Sequence, residues 1–113
     1  MGNQISIKTS KQDKFAVVKV AGKIDADASP ALTSELNKLI GGGQVFIVLD
    51  LSDVNFMSSA GIGVTVKALN DTRSKKGDLR IASIQADVQK VYELLGFAQA
   101  FKFYKSTAEA ISA

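Results

Sequence analysis

The chain has 113 residues, 46% of them hydrophobic, with no cysteine and no histidine. That length suits one packed domain and is short for two; the two absences exclude disulfides, thiolate or imidazole metal ligands, cysteine nucleophiles and Ser-His-Asp chemistry. With 14 Lys and Arg against 11 Asp and Glu the net charge is +3, spread from Lys8 to Lys105 with only Arg73, Lys75 and Lys76 grouped, so a solvated surface is expected and no nucleic-acid partner.

No stretch approaches the roughly 20 apolar residues that cross a bilayer, and residues 1–10 lack the basic and apolar regions of a signal peptide. The expected location is cytoplasmic, with no membrane partner. Residues 4–9 alternate Ile5 and Ile7 with polar side chains, and residues 15–20 are a β-branched run. Two antiparallel strands joined by a polar turn over residues 10–14 are predicted. Ser29 is a good N-cap, Pro30 suits the first helical position, and Leu32, Leu36, Leu39 and Ile40 recur on one face before Gly41, Gly42 and Gly43 stop the helix.

Residues 45–51 are nearly continuous apolar sequence and read as a central strand covered on both faces. A polar loop then leads to Ser58 and Ser59, which open a helix with Ile62, Val66 and Leu69 on one face, ending near Lys76 and Gly77. Residues 79–84 read as a short strand. Val88, Val91, Tyr92 and Leu95 keep helical spacing before Gly96, residues 101–104 suit a last strand, and residues 107–111 a terminal helical turn. The alternation predicts a single α/β domain over residues 1–113, with a mixed, mostly parallel sheet of four to five strands and about four helices.

The chemical inventory is thin. Gly41-Gly42-Gly43 is followed by Gln44 and a strand, where a phosphate-cradling loop needs Gly-Lys-Ser/Thr and a helix. Ser58 and Ser59 lack the Gly-x-Ser-x-Gly elbow, and no lysine is marked as a base. Asp25, Asp27, Asp50 and Asp53 are the candidate Mg²⁺ ligands. Asp27 near a helix start and Asp53 in a turn occupy ordinary places for Asp, while Asp50 falls at the predicted carboxyl end of the central strand, where ligands of open α/β sheets gather. The expectation is no catalytic residue, no metal, no cofactor and no enzymatic activity.

The most informative segment is Phe56-Met57-Ser58-Ser59-Ala60-Gly61-Ile62-Gly63-Val64, a strand-to-helix junction. N-capping by Ser58 would contribute typically ~1 kcal/mol and need no function. It leaves Gly61 and Gly63 unexplained, because each costs about 1 kcal/mol relative to Ala inside a helix. Something close by, another backbone or a partner protein, is expected to require the missing side chains.

These residues resemble the STAS domain family, and within it the stand-alone anti-sigma factor antagonists. Gly22-Lys23-Ile24-Asp25 is similar to the family's Gly-x-Leu/Ile-Asp element, Leu49-Asp50-Leu51-Ser52 to its third-strand ending, and the junction to its hydrophobic-Asp-Ser-Ser/Thr-Gly-Leu/Ile-Gly signature. The resemblance implies partner switching. The unphosphorylated domain binds an anti-sigma factor that is also a serine kinase, which frees a sigma factor for transcription; phosphorylation with ATP and Mg²⁺ reverses the binding, and a PP2C-type phosphatase restores the serine. The acceptor it implies is Ser59, on a partner-binding patch of Asp25, Met57, Ser58 and Gly61.

Ser58 stands where the family pattern has Asp, and Ala60 where it has Ser or Thr, so Ser58 is kept as the alternative acceptor. Two other readings stay open. One is a constitutive STAS scaffold or accessory subunit in a transporter or sensory complex, without a phospho-switch. The other is a small enzyme or nucleotide binder.

Overall fold

In the computed structural model, which describes residues 5–113, β1 (Ser6–Gln12) and β2 (Phe15–Ile24) form an antiparallel hairpin. Gln12 pairs with Phe15, so the turn is only Asp13 and Lys14, with Asp13 in the left-handed region at φ 54°. Asp tolerates that conformation better than most residues. The predicted turn over residues 10–14 was too long, because Ser10, Lys11 and Gln12 carry no apolar marker yet pair through the backbone with Val17, Ala16 and Phe15. Gln4, the predicted first residue of this strand, lies outside the described residues.

The chain continues through α1 (Ser29–Gly41), β3 (Phe46–Met57), α2 (Ser59–Ser74), β4 (Asp78–Ala82), α3 (Ala86–Leu94), β5 (Phe103–Tyr104) and α4 (Thr107–Ser112). The sheet order is β1-β2-β3-β4-β5, antiparallel in the hairpin and parallel thereafter. Strand alternation sends Val18, Val20, Ile47, Leu49, Leu51, Leu79 and Ile81 into one core with Leu32, Leu36, Ile62, Leu69, Val88 and Tyr92 of α1, α2 and α3. The opposite set, Phe15, Val17, Val48 and Ala82, packs against Ala110 of α4. The predicted single α/β domain, with a mixed, mostly parallel sheet of four to five strands and about four helices, forms with five strands and four helices among the described residues. Among the described residues no helix is long and apolar enough to cross a membrane.

The largest departure from the sequence reading concerns β2 and β3. Both run on past their apolar stretches, to Ile24 and Met57, and pair as Ala21↔Asp53 after one register shift and as Lys23↔Phe56 and Ile24↔Met57 after a second. Gly22, at φ 116°, supplies backbone freedom within that irregular stretch. Ser52, Asp53 and Asn55 read as loop because they disfavour strands, but the pairing of Asp53, Val54, Phe56 and Met57 with β2 carries the strand through them. Asp50 is therefore in mid-strand, not at its carboxyl end, and Asp53 is in a strand, not in a turn.

Smaller corrections follow the same logic. Ser29 is not the N-cap of α1: Ala28 takes that position, and Asp25 organises the turn by accepting the Ala28 amide on Oδ1 at 2.9 Å and the Ser29 amide on its carbonyl at 3.0 Å. The last strand shrinks to Phe103–Tyr104, and β4 stops at Ala82, where Ser83 turns at φ 59°. Val88 and Tyr92 anchor α3, whereas Leu95 is exposed beyond its end.

Candidate functional site

The site is the place where β2 and β3 end and α2 begins. The Ile24 carbonyl accepts the Ser58 amide at 2.8 Å, which ties the two strand ends together. Ser58 is extended, with φ −79° and ψ 167°, and its Oγ accepts the Gly61 amide at 3.1 Å. It is the N-cap of α2, and its carbonyl accepts the Ile62 amide at 3.0 Å. The capping expected of Ser58 is thus in place, and capping makes no demand on Ser59.

Ser59 is the first residue of α2 and is exposed. Among the described residues its hydroxyl has no hydrogen-bond partner. The amides of Ser59 and Ala60 lie at the start of a helix, where no preceding carbonyl exists to receive them. Free N–H groups and the helix dipole favour an anion there.

The predicted partner patch divides. Asp25 and Ser58 are partly exposed, Asp25 with its carboxylate engaged by Ala28. Met57 and Gly61 are buried and shape the junction from beneath, so they offer no contact surface. Alternation along β3 explains the exchange: Met57 points into the core and Phe56 points out, where it is 47% exposed beside Lys23 in the register. Phe56 is the apolar surface residue that the sequence reading missed, and its position one step from a core methionine was the available signal.

The two glycines have different explanations. A Cβ on Gly61 would lie 2.7 Å from Ile24 Cγ2, 3.0 Å from the Ile24 carbonyl and 3.1 Å from Met57 Cγ, so this residue is bare because the end of β2 passes directly over it. A Cβ on Gly63 would meet nothing within 4 Å. Gly63 instead opens onto a groove of about 270 Å³ between α1 and α2, lined by Leu36, Ala60, Gly63, Val64 and Ala68 with Thr33, Asn37 and Lys67 at its edges.

The acidic candidates do not converge. Asp50 accepts the Ser52 amide at 3.0 Å and the Thr107 hydroxyl at 3.4 Å, Asp53 lies 3.6 Å from the Lys19 ammonium, and Asp25 serves the α1 turn. Behind the site, the buried face of α2 carries Thr65 and Thr72 besides Ile62, Ala68 and Leu69. Thr65 reaches Tyr92 of α3, whose phenol is pushed well above the usual tyrosine range by burial, partly offset by its hydrogen bond with Thr65.

Five strands in one mixed sheet, with four helices packed on it, define a small α/β domain whose β3–α2 junction carries Ser58 and Ser59. The chain belongs to the STAS domain family, whose model matches residues 6–110. It is 30% identical over 92 residues to the anti-sigma-B factor antagonist of Staphylococcus aureus, a match covering 81% of this chain and 85% of that protein. Its fold is similar to an anti-sigma factor antagonist from Mycobacterium paratuberculosis, with a TM-score of 0.86 at 23% identity over 96% of this chain and 92% of that one. It is also similar to the Bacillus cell fate determinant SpoIIAA in its phosphorylated form, with a TM-score of 0.76 at 17% identity over 95% and 97% of the two chains.

Proposed function

We propose that this chain is a binding protein switched by phosphorylation of Ser59. Unphosphorylated, it docks onto an anti-sigma factor that is also a serine kinase and so releases a sigma factor; phosphorylated, it lets go. The observation that carries this reading is the division of labour between adjacent serines. Ser58 caps α2, and Ser59 presents an exposed hydroxyl that has no hydrogen-bond partner among the described residues. The names of its relatives, anti-sigma factor antagonists, supply the class of partner.

The chemistry balances as a simple exchange. Ser59 Oγ attacks the γ-phosphorus of ATP, the new O–P bond replaces the bond to ADP, and the hydroxyl proton passes to a base of the kinase. A PP2C-type phosphatase reverses the state by hydrolysis: water attacks the phosphorus, the bond to Oγ breaks, and serine and inorganic phosphate result. This chain is substrate in both steps and catalyses neither.

The new group carries about −1.5 to −2 charges. At the first turn of α2 the free amides and helix dipole stabilise it, so the fold survives while the surface changes. Bulk, charge and hydration then oppose docking next to Ser58, Asp25 and Phe56. A loss of ~3 kcal/mol of binding would weaken affinity more than a hundredfold.

The test is intact-mass and tryptic mass spectrometry of the protein from its own cells, with and without phosphatase treatment. Phosphate on Ser59 is expected. Phosphate on Ser58 would keep the mechanism and move the acceptor, and its absence under every growth condition would favour a constitutive scaffold.

A further inference from the structure

Gly63 sits in the second turn of α2, exposed, with nothing within 4 Å of where a side chain would begin. A glycine inside a helix weakens it relative to alanine. Packing explains the glycine at Gly61, inside α2, and the one at Gly77, between α2 and β4, where a Cβ would fall 1.9 Å from the Val45 carbonyl oxygen, but not the one at Gly63. The cost to the helix therefore has no return inside the folded chain.

Gly63 follows Ser59 by four residues, one turn along the same face of α2. A chain that lies along α2 to reach the Ser59 hydroxyl passes over that face, where Ala60 and Gly63 are exposed. We infer that Gly63 is a specificity-determining residue for the modification of Ser59, left bare so that the kinase can bring its own chain against α2. This rests on the proposed phosphorylation of Ser59 and adds to it the residue that admits the kinase. The occupant is the Ser59 kinase, presenting main chain and a small apolar side chain to the surface bounded by Ala60, Gly63, Val64 and Leu36. A larger residue at 63 would hold that chain off and carry the phosphoryl donor away from Oγ, and positioning errors of about 1 Å suffice to slow a transfer by orders of magnitude.

The experiment compares the full-length chain with Gly63→Ala and Gly63→Leu. Each is freed of phosphate, melted, and incubated with clarified lysate of its source cells supplied with Mg²⁺ and ATP, and the initial rate of phosphate appearing on Ser59 is counted by mass spectrometry. Gly63→Ala is expected to melt roughly 3–6 °C higher and to be phosphorylated more slowly. Gly63→Leu, melting no lower than the native chain, should lose about tenfold or more in rate. Native rates in both variants would overturn the inference and leave the Ser59 switch standing. A lower melting temperature for Gly63→Ala would overturn it as well, since the glycine would then serve the fold. A native chain that gains no phosphate on Ser59 would overturn both proposals.

Discussion

Thr65 and Tyr92 meet in a buried hydrogen bond of 2.8 Å that joins α2 to α3. Thr65 Oγ1 also donates to the Ile62 carbonyl at 2.8 Å. Each hydroxyl has one proton to give, so the direction is fixed: Tyr92 donates to Thr65, and Thr65 donates to the backbone one turn earlier. The helix that carries Ser59 is thereby held from behind by a polar link inside an apolar core.

That direction makes the two ends of the link unequal. Tyr92→Phe removes a donor and leaves Thr65 its bond to Ile62, at a loss of about 1 kcal/mol. Thr65→Val strands the buried phenol without a partner and is expected to lose more, about 1–3 kcal/mol. Urea denaturation of both variants and of the double variant measures the difference, and a smaller loss for Thr65→Val would contradict the assigned direction.

The same tyrosine predicts a pH dependence. Its folded pKa is raised above the ordinary 10.0, chiefly by burial. Below pH 10 both folded and unfolded chains hold the proton, and stability is unaffected. As pH rises past that value the unfolded chain releases it first and stability falls. Tyr92→Phe should blunt that alkaline loss, which chemical denaturation between pH 8 and about 11 would register.

Three glycines give a graded series. Gly77→Ala, driving a Cβ into the Val45 carbonyl oxygen at 1.9 Å, forces a backbone shift and is expected to be the most destabilising. Gly61→Ala meets Ile24 and Met57 at 2.7–3.1 Å and should lose about 1–3 kcal/mol. Gly63→Ala, in open space, should gain up to about 1 kcal/mol. Denaturant midpoints that fail to follow this order would contradict the packing described at the junction.

The adjacent serines should separate cleanly. Ser58→Ala loses the cap on the Gly61 amide, a loss of about 1 kcal/mol. Ser59→Ala should change stability by less than about 0.5 kcal/mol yet remain bound to the kinase without being switched off, while Ser59→Asp should bind more weakly. Thermal melts report the first pair of effects, and titration calorimetry against the purified kinase reports the second.

Most of the architecture was legible because its core strands and helices announce themselves by period: the apolar run of β3 and the spacing of Leu32, Leu36 and Ile40 leave little choice. The extension of β3 through Ser52, Asp53 and Asn55 was hidden, since pairing with β2 and not side-chain preference keeps it extended. Thr65 and Thr72 were hidden on the buried face of α2 for a related reason, because each hydroxyl is satisfied by a carbonyl three residues back. At the site, the motif pointed to Ser59, which is exposed, and assigned to the surface Met57 and Gly61, which are buried. Only the alternation that turns Phe56 outward, and the passage of Ile24 over Gly61, distinguish what is exposed from what supports it.

The sequential strand order has a consequence for how the molecule is made. Each strand lies beside the one translated just before it. A nascent chain emerging N-terminus first can close the β1–β2 hairpin, lay β3 against it and add later strands to a growing margin, without parting any pair already formed. The exposed interval falls between the synthesis of β3 and the arrival of β4. During it the long central strand of the sheet has one side uncovered, and that is when an unfinished chain is most open to capture by a chaperone or by its neighbours on the same message.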